Sequence, residues 1–248
     1  MDSIRYLGNS SNEEKKGKQK FVEIMKNSPI PDEEILDNMG IYLRRQTLSR
    51  LLYINELYKK IINVHGVIME FGVRWGQNLS LYENLRGIYE PYNYNRKIIG
   101  FDTFEGFPEV DIKDGQHVSK GDYSVTPNYF EYLDSVMQFH EQESPISHIK
   151  KYELIKGDAT DSITTYLSDH PETIVSLAYF DFDLYKPTKK CLEAISSHLT
   201  KGSVLAFDEL NYSALPGETI ALKEVLGLSR YAIRRDPMNP LCSYIIIE

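Results

Sequence analysis

Gly66-Val-Ile-Met-Glu-Phe-Gly-Val-Arg-Trp-Gly76 is followed by Gln77-Asn-Leu-Ser80. Residues 66–71 read as a strand and Gln77 to Tyr89 as a helix, with a glycine turn between them. Gly72 lets the backbone turn tightly beneath a ligand. The helix that follows offers its N-terminal amides to an anionic group. The turn is not the Gly-x-Gly-x-x-Gly of dinucleotide binding, because it lacks the second close glycine that makes room for a pyrophosphate. An acid, Glu70, stands two residues before Gly72 instead. Such an acid suits a ligand with a positive amino group.

Downstream the pattern repeats. Arg96 to Phe101, Tyr152 to Lys156, Ile174 to Phe180 and Ser203 to Phe207 read as further strands. Helices are predicted over Ser162 to Leu167, Thr188 to Leu199 and Gly217 to Leu226. Strands alternating with helices predict an α/β fold with a doubly wound, mostly parallel sheet. Arg230–Arg234 and Ser243–Ile247 read as a closing antiparallel hairpin. Upstream, leucines and isoleucines recur at helical spacing over 41–62. Residues 1–20 are polar and are expected to be mobile or loosely docked. The expected domains are an N-terminal arm over 1–40 and a catalytic domain over 41–248. About fifty residues separate the second and third strands, beyond the usual connection. Residues 109–150 within it read as an insertion that forms a substrate lid, with a disordered surface loop as the competing reading, and with a helix over Tyr129–Glu141.

Two strands end in paired acids: Asp181-Phe182-Asp183 and Asp208-Glu209. In an open α/β sheet that edge is where ligands bind. Carboxylates gathered there repel one another unless a cation or protons intervene. Oxygen-only ligation suits a hard divalent cation such as Mg²⁺. The second strand ends in Asp102, placed to accept from ribose hydroxyls, and the third is followed by Gly157-Asp158-Ala159, whose acid can accept from an adenine amine. With Glu70, this ordered set suits S-adenosylmethionine, although an Asp after a strand also commonly caps a helix. A nicotinamide-binding dehydrogenase is disfavoured by the glycine spacing and by the thirty residues from Gly72 to Asp102.

The formal charge of −8 argues against a general nucleic-acid partner. No stretch has the length of a membrane span. Cys191 and Cys242 give neither a disulfide framework nor a metal spacing, so a cytoplasmic location is expected. Trp75 reads as packing over the cofactor's methionine end or as plain packing, and Arg74 as exposed or facing a substrate phosphate. Tyr185 and Thr188 read as packing and helix-start residues. His65 and His170 read as structural or surface residues, His117 and His140 fall in the insertion where they could meet substrate, and His148 and His198 carry no motif.

The ordering resembles class I methyltransferases. Gly66–Gly76, Gly100-Phe-Asp-Thr-Phe-Glu-Gly-Phe-Pro108, Asp181-Phe-Asp-Leu-Tyr-Lys-Pro-Thr188 and Pro216-Gly-Glu-Thr-Ile-Ala221 resemble the macrocin O-methyltransferase (TylF-type) family. The resemblance spans roughly residues 41 to 228. It implies methyl transfer from S-adenosylmethionine to a sugar hydroxyl with a divalent metal, Mg²⁺ by donor chemistry, on a nucleotide-activated sugar bound for a surface polysaccharide or glycosylated metabolite. A catechol-type phenol is the alternative acceptor, and a non-catalytic cofactor-binding protein the alternative of another class. The resemblance makes Asp183 the general base and Asp181, Asp208 and Glu209 metal ligands. Its implied cofactor contacts are Glu70, Phe71, Gly72, Asn78, Ser80, Asp102, Thr103, Asp158, Ala159 and Asp181. It also implies a homo-oligomer. Two positions depart from the family pattern: Phe182 where a small spacer is usual, and Glu209 where the family has Asp.

Overall fold

The structure is a computed structural model that describes residues 8–248. Five parallel strands form its centre: β1 (Val67–Phe71), β2 (Ile98–Asp102), β3 (Tyr152–Lys156), β4 (Val175–Phe180) and β5 (Leu199–Phe207). Two antiparallel strands, β6 (Arg234–Asp236) and β7 (Asn239–Ile246), complete one edge. The order β3-β2-β1-β4-β5-β7-β6 is that of a class I methyltransferase sheet. Chain direction across the sheet reverses between β1 and β4, which opens a crevice at their C-terminal ends.

The central strands are buried on both faces, as parallel strands must be. Strand alternation sends Met69, Phe71, Phe101 and Phe180 to one face. There they meet α6 (Ala159–Asp169), α7 (Tyr185–Ile195) and α8 (Gly217–Val225). Ile68, Ile98, Leu177 and Val204 go to the other face. They meet α3 (Arg45–Ile61), α4 (Gln77–Tyr89) and α5 (Tyr129–Glu143).

Several boundaries differ from the sequence expectation for physical reasons. α6 begins at Ala159, because Asp158 caps it by accepting from the Thr160 amide at 2.9 Å. α7 starts at Tyr185 rather than Thr188, with Pro187 in its first turn, where a missing N–H costs nothing. β5 starts at Leu199, four residues early. Ser203 ties that irregular start together, accepting from the Thr200 amide and donating to the Val175 carbonyl. The hairpin's first strand is Arg234–Asp236 rather than 230–234, and Asp236 closes the turn by accepting from the Met238 amide.

The N-terminal segment is more ordered than expected over the residues described. α1 (Asn12–Lys26) opens with a reciprocal capping box between Ser11 and Glu14, and a short α2 (Asp32–Ile35) follows. No residue of α1 is buried. The expectation for residues 1–7 lies outside the described residues. Residues 109–150 also have structure: a 3-10 turn at Ile112–Asp114, and then α5. α5 is fixed to α4 and the start of β3 through buried charges. Glu141 receives Arg86 at 3.3 Å, the Lys151 amide at 2.7 Å and the Lys151 ammonium. No helix among the described residues is long and apolar enough to cross a membrane.

Candidate active site

A cavity of about 390 Å³ opens at the C-terminal ends of the parallel strands. Seven carboxylates line it: Glu70, Asp102, Asp158, Asp181, Asp183, Asp208 and Glu209, against the two arginines Arg50 and Arg74. That imbalance suits a ligand that brings positive charge.

Gly72 makes the first turn possible. Its φ is +93°, and a Cβ there would sit 2.1 Å from the Asp181 carbonyl oxygen. Only glycine lets the β1 turn pass this close to the β4 turn. Glu70, on the last turn of β1, is almost fully buried. Its Oε1 accepts from the Asn78 amide nitrogen at 2.8 Å. No donor among the described residues reaches its Oε2. Burial, then the nearby Asp181 charge, raises the Glu70 carboxyl well above the usual range. A positive amino group would complete this site by satisfying the bare oxygen and the charge together.

Asp102 ends β2 and folds the following loops around itself. Its two oxygens accept from the Arg74 amide at 2.7 Å and the Phe104 amide at 2.6 Å. Burial raises its pKa, and these amide bonds oppose the rise. Thr103, Asp158 and Ala159 also line the cavity. Asp158 is the N-cap of α6, the helix-cap role weighed for it in the sequence, and it faces the cavity as well. Arg74 lies over the rings of Trp75 and Tyr123, so the glycine loop and the insertion meet in an aromatic wall.

The acidic half is organised around Arg50, which comes from α3. Its guanidinium bridges Asp208 Oδ1 at 2.7 Å and Asp181 Oδ2 at 2.9 Å. Its Nε also donates to Asn78 Oδ1 at 3.2 Å. One cation thus joins both acidic strand ends to the Asn78–Glu70 pair. Asp208 Oδ1 further accepts from Tyr179 at 2.5 Å and the Cys242 thiol at 3.1 Å. Burial alone would raise Asp208. Arg50 and these two donors outweigh it and hold the carboxyl below its ordinary value. Asp181 is raised, by burial first and then by Asp208.

Asp183 sits beyond this pair at a left-handed φ of +61°, and it is 4% exposed. Burial and then Glu209 push its carboxyl well above the usual range. Glu209 is pushed to about 8, mainly by burial. The two carboxyls influence each other's proton affinity, and Glu209 Oε2 meets no donor among the described residues. Glu218, fully buried at the start of α8, accepts from the amides of Phe182 and Asp183.

The expected metal ligands do not form a metal cage in this arrangement. Arg50 takes one oxygen each of Asp181 and Asp208. Among the described residues no three His, Cys, Asp or Glu side chains are gathered to hold an ion. Between Asp181 and Asp208 the Arg50 guanidinium supplies positive charge.

Of the expected cofactor contacts, Glu70, Gly72, Asn78, Asp102, Thr103, Asp158, Ala159 and Asp181 share the cavity wall. Phe71 does not. It points to the opposite face of β1 from Glu70 and stacks between Phe101 and Phe180. Ser80 does not either. It lies two residues beyond Asn78 on α4, about 200° around the helix, and faces Met137 of α5. Tyr185 starts α7, and Thr188 is buried with its hydroxyl on the Leu184 carbonyl, as packing and helix-start residues. Arg50, Tyr179 and Glu218 were not singled out in the sequence. The need for a cation beside four strand-end acids was legible, but which of the 28 lysines and arginines supplies it was not.

No protein-family model and no curated protein matches the sequence. Solved structures do. The crystal structure of CalS11, a calicheamicin methyltransferase, superposes with a TM-score of 0.94 at 43% identity, covering 99% of this chain and 97% of that one. The apo structure of CalS11, described as a TDP-rhamnose 3'-O-methyltransferase of calicheamicin biosynthesis, gives 0.86 at 41% identity, with 99% of each chain covered. The O-methyltransferase NovP shares the fold at a TM-score of 0.58 and 17% identity, over 80% of this chain and 79% of that one. Sheet order, site and likeness together define an S-adenosylmethionine-dependent O-methyltransferase, which sets the nicotinamide and non-catalytic alternatives aside. Within that class, the chain belongs to the O-methyltransferase family of CalS11.

Proposed function

We propose that this enzyme methylates a hydroxyl of a nucleotide-activated deoxysugar, of the kind represented by TDP-rhamnose. The reading is supported by the 43% identity to CalS11 over nearly the whole of both chains. The observation that carries the cofactor assignment is the bare, buried Oε2 of Glu70 at the cavity wall. The TylF-type resemblance stays a proposal resting on its motif residues. So does a role in surface polysaccharide or glycosylated-metabolite synthesis.

S-adenosylmethionine supplies a methyl carbon already activated by a sulfonium. The chain's own residues do the rest. Glu70 would hold the cofactor's amino group, Asp102 its ribose and Asp158-Ala159 its adenine end. Bound S-adenosylmethionine would supply the methyl carbon and take the bonding electron pair onto sulfur as the sugar oxygen displaces it in line. Asp183 takes the hydroxyl proton. A carboxylate whose pKa is raised is a stronger base than an ordinary aspartate, and positioned proton transfer contributes about 10²–10⁴-fold. Residues 109–150 form the acceptor wall through Tyr123, next to Phe107 and Pro108.

The expected divalent metal enters no step of this reading, because two of its expected ligands, Asp181 and Asp208, are already paired with Arg50. Its involvement is read by assaying chelator-treated protein with and without Mg²⁺. We also propose a homo-oligomer in the cytoplasm, where the buried, unpaired Cys191 and Cys242 stay reduced. Leu36, Ile41, Leu48 and Leu52 are exposed apolar side chains near the N-terminus and would face a second copy. Sedimentation velocity reads the assembly.

The deciding experiment is calorimetric titration of S-adenosylhomocysteine, followed by a nucleotide-sugar panel assayed for methyl transfer. Binding with turnover of a TDP-deoxysugar supports the proposal. Binding with turnover of catechols instead would move the acceptor to a phenol. No binding would overturn the assignment of Glu70.

A further inference from the structure

We propose that Glu218 and Asp114 form a carboxylate clamp on the turn that carries Asp183, and that both are positioning residues for proton removal. The proposal rests on the reading of Asp183 as the base. The turn between β4 and α7 exposes three amides without helix or sheet partners: Phe182, Asp183 and Tyr185. Glu218 Oε1 accepts from Phe182 at 3.1 Å and from Asp183 at 3.3 Å. Asp114 Oδ1 accepts from Tyr185 at 2.6 Å. Glu218 is fully buried and Asp114 is 1% exposed. Neither makes an ion pair among the described residues. Burying a carboxylate without a cation is costly, so the amide bonds are what holds each one in place.

The clamp is also tight in space. A Cβ added to Gly217 would lie 2.6 Å from Asp114 Oδ1, 2.6 Å from the Tyr185 amide and 2.7 Å from the Asp183 carbonyl. Three segments far apart in sequence therefore meet with no room between them. They are the insertion, the Asp183 turn and the start of α8. Glu218 reaches the second acidic pair too, since its Oε2 accepts from the Glu209 amide at 3.4 Å. Asp114 closes the insertion's own 3-10 turn by accepting from the Asp111 amide at 2.6 Å. The same stretch of chain supplies the acceptor wall through Phe107 and Tyr123.

Two consequences follow. Asp183 holds a left-handed backbone that an aspartate adopts only at a cost. Two amide bonds to one rigid carboxylate offset that cost and fix where the base stands. Asp114 ties the acceptor wall to the same turn, so wall and base keep one spacing. A displacement of about 1 Å at such a point can lower turnover 10²-fold.

The test combines amide hydrogen exchange with steady-state kinetics on TDP-rhamnose. In Glu218→Ala, protection of the Phe182 and Asp183 amides is lost and kcat falls about 100-fold. Acceptor KM and S-adenosylhomocysteine affinity stay within about threefold, as expected when only transition-state alignment is lost. Glu218→Gln keeps an oxygen for both amides and restores kcat to within about tenfold of wild type. Asp114→Ala raises acceptor KM and lowers kcat together, and Asp114→Asn restores both. Wild-type kcat in Glu218→Ala overturns the clamp. So does a parallel loss of cofactor affinity, or a Gln variant no better than Ala. Should Glu218→Ala not fold, Glu218→Gln decides. Protected amides with near-wild-type kcat support the clamp, and lost turnover with protected amides overturns it. A wild-type enzyme inert on every nucleotide sugar refutes the functional reading instead, while amide exchange still tests the clamp.

Discussion

Replacing Arg50 with Met removes the one cation between Asp181 and Asp208 while keeping much of the side chain's volume. The loss can be worked from the geometry. The two ion pairs measure 2.7 and 2.9 Å, and the Arg50 side chain is 24% exposed, with 28% and 16% for its partners. Breaking a fully buried pair by removing one partner costs about 3–5 kcal/mol. Exposed pairs are worth about 0–1 kcal/mol. A site roughly three-quarters buried, with solvent screening discounted, puts the loss at about 2–3 kcal/mol. In a domain of this size each kcal/mol moves Tm by about 2–4 °C, so the expected fall is about 4–12 °C near pH 8. The loss depends on pH, and its sign is fixed. Asp208 is held below its unfolded value, so its contribution is present above the unfolded pKa of about 3.9 and is lost as pH falls through the folded one. Without Arg50 both carboxyls rise, and protons taken up below neutrality relieve their repulsion. The gap between wild type and variant should therefore narrow from pH 8 to pH 5 in scanning calorimetry. An equal gap at both values, or none at pH 8, would refute the view that Arg50 neutralises this pair.

Other outcomes follow from the same site. Asp183→Asn should bind S-adenosylhomocysteine like wild type in calorimetry yet lose about 10²–10⁴-fold in kcat; near-wild-type turnover removes it as base. Glu70→Gln should fold normally and bind S-adenosylhomocysteine at least about tenfold more weakly, because a charge-assisted bond to the amino group is lost; unchanged affinity refutes that contact. Arg50→Met should bind Mg²⁺ more tightly than wild type by isothermal titration, since the guanidinium competes for Asp181 and Asp208; equal affinity would show that the ion uses other oxygens. Glu83 and Glu209 are each raised to about 8, both mainly by burial. Their stabilising contribution is complete below the unfolded value near 4.3 and is lost as pH rises through about 8. The ligand-free protein should accordingly melt lower at pH 9 than at pH 6, and a flat profile would contradict both assignments.

The fold was legible because its signals are local. β1, β2, β4 and the second half of β5 are largely apolar runs closed by a turn residue or an acid, and α4 and β3 fall at the predicted residues. Where boundaries slipped, tertiary bonds had decided them. Asp158 extends α6 forward, Pro187 sits harmlessly inside the first turn of α7, and Ser203 holds the ragged start of β5. Two expected cofactor contacts lie off the cavity wall, by periodicity that was available in the sequence. Phe71 alternates away from Glu70 along β1, and Ser80 turns away from Asn78 around α4. Applying the two periods strictly places both side chains away from the cavity.

What the sequence withheld is how the charges are balanced. Four acids at two strand ends demand compensation, and a divalent ion is the economical inference when only the acids carry a motif. The compensation in this structure comes from Arg50, which carries none. Arg50 lies in a helix ahead of β1, separated by 131 residues from Asp181 and 158 from Asp208. Glu218 and Asp114 spend their oxygens on amides rather than on charges. Such partners are chosen by the sheet order, which brings α3 to the β4 and β5 ends and packs α8 against α7. The motif acids thus state that a site exists, and the topology decides which distant groups neutralise and aim them. By that reasoning, changes at Arg50 should register first in stability and cation affinity. Changes at Glu218 should register first in kcat, because Arg50 balances the acids' charge and Glu218 sets the position of Asp183.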